Sequence, residues 1–283
     1  MSGELPGLDG FQAEIAEVAL RAIDGQGFAL AGAGALVAHG VISRPTQDLD
    51  LFTPVEGGPG EVSAALLAAL TDAGCQVQVL EGAEQHGGEF MRLQVQRDEH
   101  VVDIDLGRDW RQHPPVRMQI GPVLHIDDAI ASKVTAMIGR GLPRDYIDVA
   151  GALRRYDRND LLGLAFHRDP GLRVLDAARC MQLLDRLPDA PFADYGLTDD
   201  DVRQVRRSFQ DWPRDPEQDH NGRRVHAHAH QQDATSAASR AAAAFPTPLH
   251  DALSSGTSAP ELPPRPPEHT QPPTDREQYR RRP

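Results

Sequence analysis

The stretch DLDL at Asp48 to Leu51 limits the fold more than any other part of the chain. Successive side chains of a strand point to opposite faces, so Leu49 and Leu51 would enter an apolar layer while Asp48 and Asp50 stand together on the other side. The alternation therefore predicts a β-strand. Two adjacent carboxylates disfavour each other's ionisation, and a divalent cation removes that conflict. Magnesium takes one or two carboxylates together with phosphate oxygens and water, which suits such a pair. The plainer alternative is a solvated edge on which Asp48 caps a turn. The pattern recurs in HVVDIDLG, where Asp103 and Asp105 share one face and Val102, Ile104 and Leu106 the other. A second acidic strand would bring a third carboxylate to the same ion, as two-metal phosphoryl or nucleotidyl transfer requires. Asp105, next to Gly107 at the strand end, is the first candidate; Asp103 is the reserve.

The residues ahead of DLDL are FALAGAGALVAHG. Phe28 to Ala31 suits a short buried strand and Ala33 to His39 a helix, with a glycine turn between them. Such a turn aims backbone N–H groups and the positive helix end at its surroundings, which suits phosphate. Equally, small residues there would let strand and helix pack closely. A dinucleotide fingerprint would need a third glycine where Val37 stands, and paired aspartates serve no hydride chemistry.

Elsewhere, Phe11 to Ile23 has helical periodicity, and an alanine- and leucine-rich helix ends near Ala73. CQVQVL, FMRLQVQ and HVVDIDL read as strands, the last two joined by RDE as a hairpin. From Ile126 the pattern turns helical: DDAIASKVTAMIGR, RDYIDVAGALRRY, LLGLAF, GLRVLDAARCMQLLDRL and TDDDVRQVRRSFQDW. The expectation is an α+β fold: a mixed β-sheet with flanking helices over residues 1–125, then a helical lobe over 126–212. Residues 213–283, rich in Pro, Ala, Ser, Arg and Gln, have too few large apolar side chains to offset ordering entropy and are expected to be a disordered tail.

The formal charge of −13 over 283 residues argues against broad adhesion to nucleic acid or anionic membrane. Cys75 and Cys180 form no C-x-x-C pair, so neither a disulfide framework nor a zinc-ligand pattern is expected. An acidic first segment without a positive leader, and no run of roughly 18 apolar residues, point to a cytoplasmic protein with no membrane partner. Asp127 and Asp128 read as first-turn helix acids. His39 reads as a packed helix histidine, and HAHAH at residues 226–230 as a compositional feature of the tail.

GAGALVAHGVISRPTQDLDLF resembles the signature of polymerase-β-like nucleotidyltransferases. More narrowly it is similar to the AbiEii/AbiGii abortive-infection toxin family, whose members tend to read GGxAL, then R-x-T or R-x-S, then D-[LI]-D. SKVTAMIGRGLPRDYID fits the same family, which places a lysine on a helix ahead of an Arg-Asp-x-x-Asp run. The similarity spans Phe28 to Leu153.

The resemblance implies a nucleotidyltransferase-like sheet in which Gly32, Ala33 and Gly34 hold triphosphate oxygens and Asp48, Asp50 and Asp105 bind Mg²⁺, with two ions expected. Lys133 would neutralise phosphate charge, Arg44 and Thr46 would line the approach, and Asp145 or Asp148 would support the site. The family's second glycine or serine is Ala33 here, which keeps its N–H, lacks a hydroxyl and suits positive φ poorly. The implied reaction moves a nucleoside monophosphate from an NTP to an acceptor hydroxyl, with RNA, and the tRNA 3′ end in particular, as leading acceptor and an antitoxin protein as partner. Arg108, Arg111, Arg140, Arg144, Arg154 and Arg155 would supply a local basic surface for RNA. A small-molecule nucleotidyltransferase and a non-catalytic nucleotide- or partner-binding module are the alternatives.

Overall fold

A computed structural model describes residues 5–214, and the described part of the chain is α+β. Helix α1 (Gly10–Ala22) starts where the Asp9 carboxylate accepts the Gln12 N–H and the Gln12 side chain returns the bond, a reciprocal cap at its N-terminus. Strand β1 (Ala29–Leu30), helix α2 (Gly32–Ala38) and strand β2 (Asp48–Thr53) follow. Then come α3 (Gly58–Asp72), β3 (Gln76–Glu81), β4 (Phe90–Arg97) and β5 (His100–Arg108).

A short hairpin of β6 (Val116–Met118) and β7 (Gly121–Val123) precedes the helices α4 (Ile126–Arg140), α5 (Pro143–Ala152), α6 (Arg158–Arg168) and α7 (Val174–Leu184). The last two are α8 (Ala190–Ala193) and α9 (Asp199–Ser208). The β6–β7 hairpin and α8 lie outside the elements expected from the sequence. Three residues per strand and four in α8 are too few to show a period.

All strands join one mixed sheet in the order β3-β4-β5-β2-β1-β7-β6. Strands β2 and β5 are parallel neighbours in the register Asp48 to Asp103, Leu49 to Ile104 and Asp50 to Asp105. Facing pairs lie on the same side of a sheet, so the two acidic faces coincide. On the opposite side Leu49, Leu51, Met91, Leu93, Val95, Val102, Ile104 and Leu106 are all buried. Each contributes about 1.5–3 kcal/mol by leaving water. Slipping either strand by one residue would turn that layer outward and the acids inward, so the hydrophobic core itself fixes the acidic register.

The β4–β5 turn uses only Asp98 and Glu99, since Arg97 pairs with His100. Asp98 takes φ +54°, a left-handed conformation that aspartate tolerates better than most residues. The expected tail, apart from Pro213 and Arg214, lies outside the described residues, as does HAHAH. No described helix is long and apolar enough to cross a membrane. Cys75 and Cys180 are buried free thiols.

Candidate active site

The acidic face of β2 and β5 is built outward from Asp50. Its carboxylate packs against the start of α2, so closely that a Cβ placed on Gly32 would lie 1.7 Å from Asp50 Oδ2. Gly32 also has φ +52°, a conformation that disfavours any side chain. Gly34 has a different reason for being glycine: a Cβ there would stand 2.9 Å from Leu30 Cδ1, so its smallness lets α2 sit on β1. Ala33 is not among the residues with positive φ, and its methyl group costs the turn no backbone strain. The α2 N-cap, Ala31, makes no side-chain capping bond. The N–H groups of Gly32, Ala33 and Gly34 are thus first-turn donors with no intrahelical acceptor.

Burial, and then the charge of Asp48, push the Asp50 carboxyl up from its ordinary 3.8 to about 7; Lys133 and Arg144 pull the other way and Asp105 adds to the rise. Without a cation, Asp50 therefore holds a proton to near neutrality. Thr46 donates its hydroxyl to Asp48 Oδ1 at 3.0 Å, so it orients that carboxylate.

Asp105 is held from the neighbouring strand. Arg92 on β4 donates through Nε and Nη2 to its two oxygens, both at 2.6 Å, while Gln94 donates to Asp103 Oδ1 at 3.1 Å. In this state the ligand atoms of Asp48, Asp50 and Asp105 are not gathered within 4.8 Å of one another; among the described residues that condition is met by His113, His125 and Asp127. Arg92 is the residue that sequence reasoning missed. With RDE as a three-residue connection Met91 would stand opposite Asp105; the observed two-residue turn shifts the pairing by one and brings Arg92 there.

Lys133, on α4, reaches Asp148 of α5 with Nζ at 3.2 Å. Asp148 is fully buried and also receives Arg44 in a two-pronged pair at 2.6 and 2.8 Å. Arg44 thus ties the segment before β2 to α5. The neighbouring Asp145, also fully buried, accepts both prongs of Arg140 at 2.9 Å and the Leu142 N–H. The i,i+4 pair of Arg144 with Asp148 that the spacing allows is replaced by these longer-range partners. Arg144 Nε is buried with no hydrogen-bond partner, a donor left over beside the acids.

The six arginines expected to face RNA are engaged in different places. Arg108 pairs with Glu89, Arg111 donates to the Gly27 carbonyl, and Arg154 and Arg155 donate to the carbonyls of Val41, His39 and Gly40 after α2. With Arg140 on Asp145 and Arg144 beside Asp50, they do not make one shared free patch. His39 Nε2 lies 2.8 Å from the Leu124 carbonyl, the packed role read from the sequence. A cavity of about 460 Å³ opens beyond Arg44, lined by Arg154, Tyr195 and Gln204, but none of the acids of β2 or β5 lines it. The raised carboxyl of Asp50, buried beside Asp48, makes the acidic face the better candidate site.

The family described as "Nucleotidyl transferase AbiEii toxin, Type IV TA system" matches residues 16–211. No curated protein matches the sequence. Among solved structures, JHP933 from Helicobacter pylori is similar with 14% identity and a TM-score of 0.49, over 80% of this chain and 99% of that one. MenT4, a nucleotidyltransferase toxin from Mycobacterium tuberculosis H37Rv, is similar with 19% identity and a TM-score of 0.47, over 70% of this chain and 80% of that one. On the family match, which spans well over half of its length, the chain belongs to the AbiEii nucleotidyltransferase toxins of type IV toxin–antitoxin systems.

Proposed function

We propose that this toxin uses magnesium to move a nucleoside monophosphate from an NTP onto a hydroxyl of RNA, breaking the α–β phosphoanhydride bond and releasing pyrophosphate, with the tRNA 3′ end as the foremost acceptor, and that an antitoxin restrains it in the cell. The observation that carries this reading is the Asp48–Asp50 pair set against the Gly32 turn. Its oxygen-only donor set suits magnesium, and the raised Asp50 carboxyl marks negative charge that a cation would relieve. Bound by Asp48 and Asp50, with Asp105 as third acid, two magnesium ions would act as Lewis acids that stabilise charge on the triphosphate and the attacking hydroxyl.

The remaining work falls to side chains and backbone. The first-turn N–H groups of Gly32, Ala33 and Gly34 would donate to phosphate oxygens. Lys133, steered by Asp148, and Arg144, with its unpartnered Nε, offer positive charge beside Asp50. Thr46 keeps Asp48 oriented. Asp105 takes the acceptor's proton; each oxygen bonded to Arg92 retains a second lone pair, so the ion pair does not block that role. In this reading residues 1–125 supply the acids and the turn, and residues 126–212 supply the cations.

Incubation of the protein with α-labelled NTPs and magnesium, offered total tRNA in one arm and a panel of hydroxylated antibiotics in the other, tests the acceptor. Label should enter tRNA. Label entering only the small molecules would replace RNA with a small-molecule acceptor.

A further inference from the structure

We infer that His113, His125 and Asp127 form a second metal site, distinct from the carboxylate pair, that takes one divalent transition-metal ion of the zinc class. One ligand atom from each of the three lies within 4.8 Å of the others. Two imidazoles and a carboxylate form a donor set that suits zinc and its transition-metal neighbours, whereas magnesium prefers oxygen alone.

The surrounding bonds orient these groups as ligands. Asp128 is buried, accepts the backbone N–H groups of Gln112 and His113 at 2.8 and 2.9 Å, and has Oδ2 3.3 Å from His113 Nδ1. A proton on Nδ1 facing that carboxylate leaves the Nε2 lone pair of His113 for a metal, as in carboxylate–histidine–metal arrangements. Tyr156 donates its hydroxyl to Asp127 Oδ1 at 2.6 Å, which leaves Oδ2 uncommitted by that bond. Asp127 Oδ2 is 3.6 Å from His125 Nδ1. Two ligands about 2.1 Å from a tetrahedral ion are separated by roughly 3.4 Å.

Helix capping explains only part of this. His125 Nδ1 accepts the Asp127 N–H at 3.3 Å, a long bond for a cap, and an ion held at Nδ1 would replace that bond because the nitrogen has a single lone pair. Capping gives no reason for His113, which comes from the loop before β6 and stacks on His125 with ring centroids 4.4 Å apart. The side chains of His113, His125 and Asp127 are 35%, 31% and 30% exposed, so an ion could enter from solvent and keep water on its open positions. Such an ion would fasten the loop before β6 to the first turn of α4, the helix that carries Lys133.

The test uses the untagged, full-length protein with His226, His228 and His230 changed to alanine, which removes the HAHAH run as a competing chelator. After chelator treatment and dialysis it is titrated with Co²⁺, read by d–d absorbance, and with Zn²⁺ against a chromophoric chelator. With magnesium in excess to occupy the carboxylate pair, one equivalent should bind, with a rise in Tm. His113→Gln and His125→Gln in this background should weaken binding by at least about 100-fold, and Tyr156→Phe by about 10-fold. Asp48→Asn should leave stoichiometry and affinity unchanged. Absence of binding in the tail variant, undiminished binding in both histidine variants, or loss of the ion with Asp48→Asn would each overturn the inference.

Discussion

Gly32 and Gly34 look interchangeable in GAGAL, yet they do different things. Gly32→Ala would force a left-handed residue and drive a methyl group into the Asp50 carboxylate. The backbone cost is about 1–2 kcal/mol. Displacing the carboxylate proposed to hold magnesium by about an ångström should lower kcat/KM by about 100-fold. Gly34→Ala presses on the buried Leu30 side chain but keeps an ordinary backbone conformation and does not touch Asp50, so denaturation midpoints and kcat/KM measured side by side should show the smaller loss in kcat/KM. Asp50 gives a pH prediction. Its folded value of about 7 lies above the ordinary 3.8, so between those limits the native state binds the extra proton and stability falls as pH rises. Asp50→Asn should therefore raise the metal-free Tm at pH 8 by about 2–4 °C for each kcal/mol relieved, and leave it nearly unchanged at pH 4. A Tm that drops at pH 8 would show that the Asp50 charge is already compensated.

Among the elements, Asp148 joins three of them: α5, which carries it, α4 through Lys133, and the segment before β2 through Arg44. Asp148→Asn leaves two cations facing a neutral amide in a buried place, and should cost roughly 3–5 kcal/mol in urea denaturation, as removal of one member of a buried ion pair does. The hairpin of β4 and β5 makes a second test. Arg92→Met keeps the stem but frees Asp105, and should shift the pH profile of activity while changing stability by less than about 1 kcal/mol, since Arg92 is partly exposed.

These two cases show what the sequence made legible. The period-two alternation of Asp48 to Leu51 and of Val102 to Leu106 marked both strands and both acidic faces, because burial of Leu49, Leu51, Ile104 and Leu106 admits no other phase. The partners of the acids were less visible. Arg44 meets Asp148 across more than a hundred residues, and no local period reports such a contact. Nor did any local signal report the parallel pairing of β2 with β5, which depends on how the chain crosses back through α3, β3 and β4.

Taken together, the described residues place acids on a sheet and set beside them cations from the helices that follow. Net charge did not reveal that arrangement, since an acidic total of −13 is compatible with Lys133, Arg140 and Arg144 gathered near Asp50. On the proposal that RNA is the acceptor, the scattered arginines among the described residues would have it gripped near the reaction centre instead of along a broad basic face, so its binding should depend weakly on salt. A slope of log affinity against log salt shallower than about −3 is expected, and a steep slope would point to a basic surface contributed elsewhere.

The most direct measurement is transfer of label from α-labelled NTPs to tRNA by the intact protein and by Asp48→Asn, with circular dichroism confirming that both are folded and growth of expressing cells followed in parallel. The account predicts labelled RNA and arrested growth with the intact chain, and at least about a 100-fold loss of labelling with relief of arrest in the variant. Equal labelling by the two folded proteins would contradict it.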